Sequence, residues 1–233
     1  MTTSAVNPHI LIRSYARDRE WLRYCLASIV KNSPDIGITV VAPRGDNLGV
    51  DTTQVDPIHH EGYVDQQYTK LRANLYVPEG TTHVIHVDSD CFVLGDLHSI
   101  FVDGKPSMLK TPWEMINDQA KIWHSITQKY VGFSPQFEYM RRLPLVYPIG
   151  IYEKLDSHLT NLHGPWHEWF PKIEGRRFSE FNILGAYADT YMNEDFHWIN
   201  TATDPLPEIL VKQGWSWGGF DAAKPEWDRM IGK

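Results

Sequence analysis

The sequence predicts an α/β fold: a single domain with a mostly parallel central sheet flanked by helices. Three observations carry this. Strand-like runs at residues 9–14, 38–42 and 84–87 alternate with two amphipathic helical segments, the pattern of a right-handed parallel βαβ arrangement. Val84, Ile85 and Val87 make an apolar run suited to a strand covered on both faces. No repeat, linker or low-complexity segment interrupts the 233 residues, a length ample for one sizeable core.

Residues 1–8 read as a loose terminus. His9-Ile10-Leu11-Ile12-Arg13-Ser14 makes the first strand, and residues 14–18 turn into an amphipathic helix with Leu22, Cys25 or Leu26, and Ile29 at helical spacing. Asn32-Ser33-Pro34 stops that helix. The turn contains no glycine, so the G-x-G-x-x-G fingerprint is absent, as is any G-x-x-x-x-G-K-[ST] phosphate loop. NAD enzymes and P-loop nucleotide hydrolases are thereby disfavoured. A second strand at residues 38–42 is bounded by Pro43, and the polar loop beyond it ends in His59-His60. Adjacent residues on an extended chain point to opposite sides, so these two read as surface imidazoles and not as a metal pair. Residues 65–76 form a helix with Tyr68, Leu71 and Leu75 on one face, closed by Val77-Pro78.

The third strand delivers Asp88-Ser89-Asp90 to the carboxyl edge of the sheet, where open α/β sheets bind ligands. Asp-Ser-Asp is also a good turn, since these side chains bond their own backbone. Cys91-Phe92-Val93-Leu94 resumes apolar sequence at once, as though the acids interrupt a buried element. Two carboxylates in such a setting suit Mg²⁺ or Mn²⁺, which take oxygen ligands and let substrate phosphates and water complete the shell. A parallel arrangement also brings the end of the first strand beside the third, so that Arg13, Ser14, Tyr15, Arg17 and Asp18 neighbour Asp88.

Residues 86–97, His-Val-Asp-Ser-Asp-Cys-Phe-Val-Leu-Gly-Asp-Leu, resemble the D-x-D segment of nucleotide-sugar glycosyltransferases of the GT-A fold. The resemblance implies that Asp90 is the prime metal ligand and Asp88 the second, with Asp88 and Ser89 also facing the donor. It implies that Arg13, Ser14, Tyr15 and Arg17 cradle the base and ribose of the nucleotide, and that Gln67 and Lys70, on the helix before the motif, reach toward the donor. Arg17 and Asp18 read equally well as the opening of a helix with Asp18 as its N-cap.

In the second half, residues 107–111 suggest a strand, and Ile116, Ala120, Trp123, Thr127 and Tyr130 trace one helical face. Residues 145–150 suit an edge strand, because Pro148 lacks a ladder donor. Tyr152, Leu155, Leu159 and Leu162 continue as a helix, and residues 163–170 form a loop of aromatics and imidazoles able to stack a sugar. Ser179 starts a further helix with Glu180 in its first turn, where the dipole favours an acid. The resemblance implies a second role for Glu180, as the acid set against the acceptor hydroxyl. It divides the domain into a nucleotide-sugar half (1–105) and an acceptor half (106–233).

The C-terminal stretch from Gly214 to Trp227 loosely resembles the closing segment of one retaining GT-A family, with departures: Ser216 stands about where that family has a ligand His, and Glu226 precedes Trp227. His197 is the substitute considered as third metal ligand.

The formal charge of −7, from 22 Lys and Arg against 29 Asp and Glu, disfavours a broad nucleic-acid surface. Two cysteines without a C-x-x-C spacing suit a reducing compartment, and neither an apolar leader nor a spanning segment is visible, so a cytoplasmic protein is expected. The expected activity is metal-dependent transfer of a sugar from a nucleoside-diphosphate sugar, with UDP the expected carrier by resemblance, to an acceptor hydroxyl of unspecified class. Two alternatives stand beside it. One is a haloacid-dehalogenase-type phosphatase, although Phe92 occupies a position where that motif expects Thr or Val; the other is a non-catalytic carbohydrate-binding protein.

Overall fold

The computed structural model describes residues 6–118, 120–142, 144–175 and 177–232. The expected loose terminus lies, up to residue 5, outside the described residues, and Pro8 is already in a strand. β1 (Pro8–Arg13) is buried along its whole length and leads through one 3-10 turn into α1 (Arg19–Asn32), whose Leu22, Cys25 and Ile29 face the core. β2 (Gly37–Pro43), β3 (Thr53–Val55), α2 (Gly62–Leu71) and β4 (His83–His86) follow. Beyond the acid turn lie β5 (Cys91–Val93), β6 (Phe101–Val102), β7 (Lys105–Pro112), α3 (Ile122–Val131), β8 (Phe137–Glu138) and β9 (Leu145–Pro148). The chain closes with α4 (Gly150–His163), α5 (Trp166–Trp169), α6 (Glu180–Tyr191), β10 (His197–Asn200), β11 (Val211–Gln213) and α7 (Phe220–Ile231).

The central sheet has the order β3-β2-β1-β4-β9. β1 runs parallel to both β2 and β4, β2 parallel to β3, and β9 antiparallel to β4. His9 lies opposite Val84 and Leu11 opposite His86, so β1 and β4 end at the same edge. This is the mostly parallel sheet expected, and β9, with Pro148 as its last residue, is its edge. A smaller sheet, β10-β7-β6 with β8 also on β7, and the antiparallel pair β11-β5 complete the strands described.

Several local expectations give way to tertiary packing. His59 is buried, its Nδ1 accepting from the Glu61 N–H and its Nε2 meeting the Ile173 carbonyl, whereas His60 stacks on it. The aromatic loop at 163–170 is helical, with Trp166 and Phe170 buried and packed on Tyr68, so the rings serve the core and not an open sugar platform. The helix expected at 65–76 stops at Leu71, and Leu75, in a following 3-10 turn, is exposed. Ile116 and Ala120 precede α3 and pack with Trp113 in a satellite cluster.

α6 crosses β8's neighbourhood at Gly185, where an added Cβ would overlap Cβ and Cγ of Tyr139. Alanine favours a helix over glycine by up to about 1 kcal/mol, but overpacking a full core costs about 1–3 kcal/mol. Gly185→Ala is therefore expected to lower stability, as measured by denaturant unfolding, despite its better helix propensity.

Candidate active site

The parallel register of β1 and β4 brings two turns together. One follows β1 and carries Tyr15, Arg17 and Asp18; the other follows β4 and carries Asp88, Ser89 and Asp90. Ser89 is buried and its hydroxyl donates to Asp18 Oδ2 at 3.2 Å, clasping the two turns. Asp18 occupies the N-cap position of α1, yet its side chain makes no capping hydrogen bond. Burial above all pushes its carboxyl up to about 6; the Ser89 hydroxyl opposes this, while Asp90 and Asp88 add to it.

A second group forms around Lys70. α2 points this lysine inward, 3 % exposed, with Nζ 2.7 Å from Asp88 Oδ1 and 3.0 Å from Glu180 Oε1. It also lies 4.7 Å from the Phe181 ring centroid. Burial presses the ammonium toward neutrality, but Asp88 and Glu180 more than offset this and hold its pKa above the usual lysine value. Glu180 is pushed upward by its own burial, with Lys70 opposing. Arg72, two residues on, faces away and donates to Tyr68, as a helical spacing of two requires. Asp88 itself is a quarter exposed, its side chain retaining 26 % of its surface.

α6 presents Glu180 because its N-terminus is capped elsewhere: Ser179 Oγ accepts the Asn182 N–H at 3.2 Å. The Glu180 N–H donates to Gln67 Oε1 at 3.1 Å, and Gln67 Nε2 donates to the Tyr63 carbonyl. Gln67 thus locks α2 to α6 and is 1 % exposed. Arg13 and Ser14 are buried as well. Arg13 is buried, pairs with Asp65 at 2.9 Å and donates to the Ser14 carbonyl at 2.6 Å, tying β1 to α2. Ser14 is fully buried and its hydroxyl has no partner among the described residues. Arg17 remains exposed, its guanidinium 5.4 Å from the Tyr15 ring centroid.

The C-terminal segment closes the other side. β11 pairs with β5 with Gln213 opposite Cys91, and the Gly214 N–H donates to the Asp90 carbonyl at 2.6 Å. Asp90 Oδ2 accepts the Ser216 N–H at 2.8 Å, and Oδ1 lies 3.4 Å from Gln213 Nε2. Burial and then Asp88 raise the Asp90 pKa, with these donors opposing. Gly214 is needed for the approach, because a Cβ there would overlap Trp21. Trp227 is buried beside Trp21, and Glu226 turns outward to Lys212 at 2.6 Å.

Position 216 therefore does reach the acids, but with a backbone donor in place of an imidazole. His197 is exposed at the start of β10, with Asp204 as a charged neighbour. No group of three or more His, Cys, Asp and Glu side chains disposed to hold a metal ion occurs among the described residues. Asp88 and Asp90 nonetheless fit a hard cation, because they are all-oxygen donors and one or two carboxylates suffice when substrate phosphates supply the rest. The parallel register of β1 and β4 already placed Asp18 beside Asp88 from the sequence, whereas Gln213 and the Ser216 amide were not singled out for the site and only the β11-β5 pairing brings them in.

No protein-family profile matches the sequence, and no curated protein matches it. Solved structures do. The galactosyltransferase LgtC, in complex with donor and acceptor sugar analogues, is similar with a TM-score of 0.54 over 96 % of this chain and 95 % of that one, at 14 % identity. An active-site variant of LgtC, with Glu in place of Gln, matches to the same extent. The fold is GT-A. Among the described residues, no helix is long and apolar enough to cross a membrane.

Proposed function

We propose that the protein is a metal-dependent glycosyltransferase that moves a sugar from a nucleoside-diphosphate sugar, with UDP as the carrier, to an acceptor hydroxyl. The observation that carries this reading is the Lys70 bridge, which sets Asp88 and Glu180 one ammonium apart. One acid comes from the sheet edge where ligands bind in open α/β folds and the other from the capped start of α6, so both sides of a transfer reaction meet there.

Asp88 and Asp90 hold Mn²⁺ or Mg²⁺ in this proposal, and such a cation neutralises the charge that develops on a diphosphate leaving group. Tyr15 and Arg17 lie on the nucleoside side, beside the Asp18–Ser89 clasp. Lys70 orients Asp88 and Glu180, and Glu180 accepts a hydrogen bond or proton from the acceptor hydroxyl. Arg13, Ser14 and Gln67 support these groups from behind. The fold shared with a galactosyltransferase supports this reading, as do the two carboxylates at the sheet edge.

Binding tests it. Uridine diphosphate with Mn²⁺ is expected to bind in calorimetry and to raise the melting temperature by mass action, with both effects abolished by chelator. Equal affinity with and without chelator would remove the cation from the donor site. Failure to bind under any metal condition would remove the nucleotide donor.

A further inference from the structure

The most unusual backbone conformation near the acids belongs to an exposed tryptophan. Trp215 has φ 56° and ψ 80°, in the left-handed region, and retains 54 % of its surface. For a bulky side chain this region is strained, and the residue nonetheless stays more than half exposed. The conformation is imposed from both sides. The N–H groups before and after it, those of Gly214 and Ser216, both donate to Asp90, at 2.6 and 2.8 Å, and the Gly218 N–H closes onto the Trp215 carbonyl at 2.8 Å. Strain that the surroundings over-determine at a site is a pointer to use.

Position along the line of contacts says which use. Glu180 meets Lys70, Lys70 meets Asp88, and Asp90 meets Ser216. Trp215 is thus at the opposite end from Glu180, and it follows Gly214, whose Cα packs against Trp21 in the first turn of α1, the helix that Asp18 opens. On the proposed function, on which this inference rests, the Glu180 end receives the acceptor and the far end the nucleoside. We infer that Trp215 is the stacking wall for the planar base of the donor nucleotide. A planar base presents a π face that an exposed indole covers without needing hydrogen bonds.

The experiment compares uridine diphosphate with inorganic pyrophosphate, each with Mn²⁺, on the full chain and on Trp215→Ala, Trp215→Phe and Trp215→Gly. Loss of a base stack is expected to weaken uridine diphosphate about 10- to 100-fold in Trp215→Ala and Trp215→Gly, with Trp215→Phe close to the parent. Pyrophosphate affinity is expected to stay the same in all four. Trp215→Gly is also expected to melt higher than Trp215→Ala, because glycine adopts the left-handed conformation without strain. Unchanged uridine diphosphate affinity in Trp215→Ala overturns the inference, and so does an equal weakening of pyrophosphate, which would mean that the residue acts only by placing Asp90. A raised acceptor KM with unchanged nucleotide affinity would move the ring to the acceptor and overturn it as well. If the parent chain binds pyrophosphate but no uridine diphosphate, the proposed donor fails together with this inference; if it binds both and the variants do not differ, only the inference fails.

Discussion

Glu180→Gln is expected to lower transfer about 10²–10⁴-fold while leaving uridine diphosphate and Mn²⁺ affinity nearly unchanged, since general-base and positioning roles have that size. The substitution keeps the shape and an oxygen that can still accept from Lys70, now 3.0 Å away, so the ammonium stays on Asp88. It removes the negative charge that takes or attracts the acceptor proton. If Glu180 merely supports the first turn of α6, the cost is instead a few tenths to about 1 kcal/mol of stability, with transfer intact. The geometry weighs against that role alone, because Ser179 already caps the helix and Glu180 is 4 % exposed beside Lys70. Measuring turnover and unfolding on the one variant separates the two; a lowered melting temperature with full transfer would take Glu180 out of the site.

Lys70→Met is expected to be the most destabilising of the substitutions considered, by about 3–5 kcal/mol, the usual size when one partner of a buried ionic group is removed. Methionine fills much the same space, so the loss is electrostatic. Asp88 and Glu180 would face each other without the ammonium that now lies 2.7 and 3.0 Å from them. The Glu180 carboxyl, already pushed up by burial and opposed chiefly by Lys70, would then rise further in the folded state, and a carboxyl raised above its unfolded value favours folding when protonated. The deficit is accordingly expected to be larger above neutrality than in mild acid. Urea unfolding of both proteins across pH checks it: a pH-independent loss under about 1 kcal/mol, the size of a surface pair, would show that Lys70 does not hold the two acids together.

Much of the first half was legible because its signals are local. Ile10, Leu11 and Ile12, then Leu22, Cys25 and Ile29, then Val84 and Ile85 announce strand, helix and strand by their spacing, and all are buried. The absence of glycine after β1 disfavoured dinucleotide and P-loop architectures, since those glycines are demanded by backbone contact with phosphate. Where two roles share one composition, the residues themselves were silent. Trp166 and Phe170 have the makeup of a sugar platform, but Tyr68 on α2 packs over them. His59 looks like a surface imidazole until the Ile173 carbonyl, far along the chain, reaches it.

By itself, then, the sequence determined the α/β alternation, the parallel order of β1, β2 and β4, and the delivery of Asp88 and Asp90 to one sheet edge. Each follows from hydrophobic period and chain connectivity, which act over a few residues or one crossover. Only the tertiary structure decided that Arg13 and Gln67 are internal braces, that Lys70 joins Asp88 to Glu180, and that Gln213 and the Ser216 amide hold Asp90. Those pairings join residues distant in sequence, and a lysine or glutamine has the same spacing signature whether it ends in solvent or against a carboxylate. What decides between the two is burial by another element: an ionised group taken out of water must find its partner within hydrogen-bond reach, and the fold alone determines which partner is there.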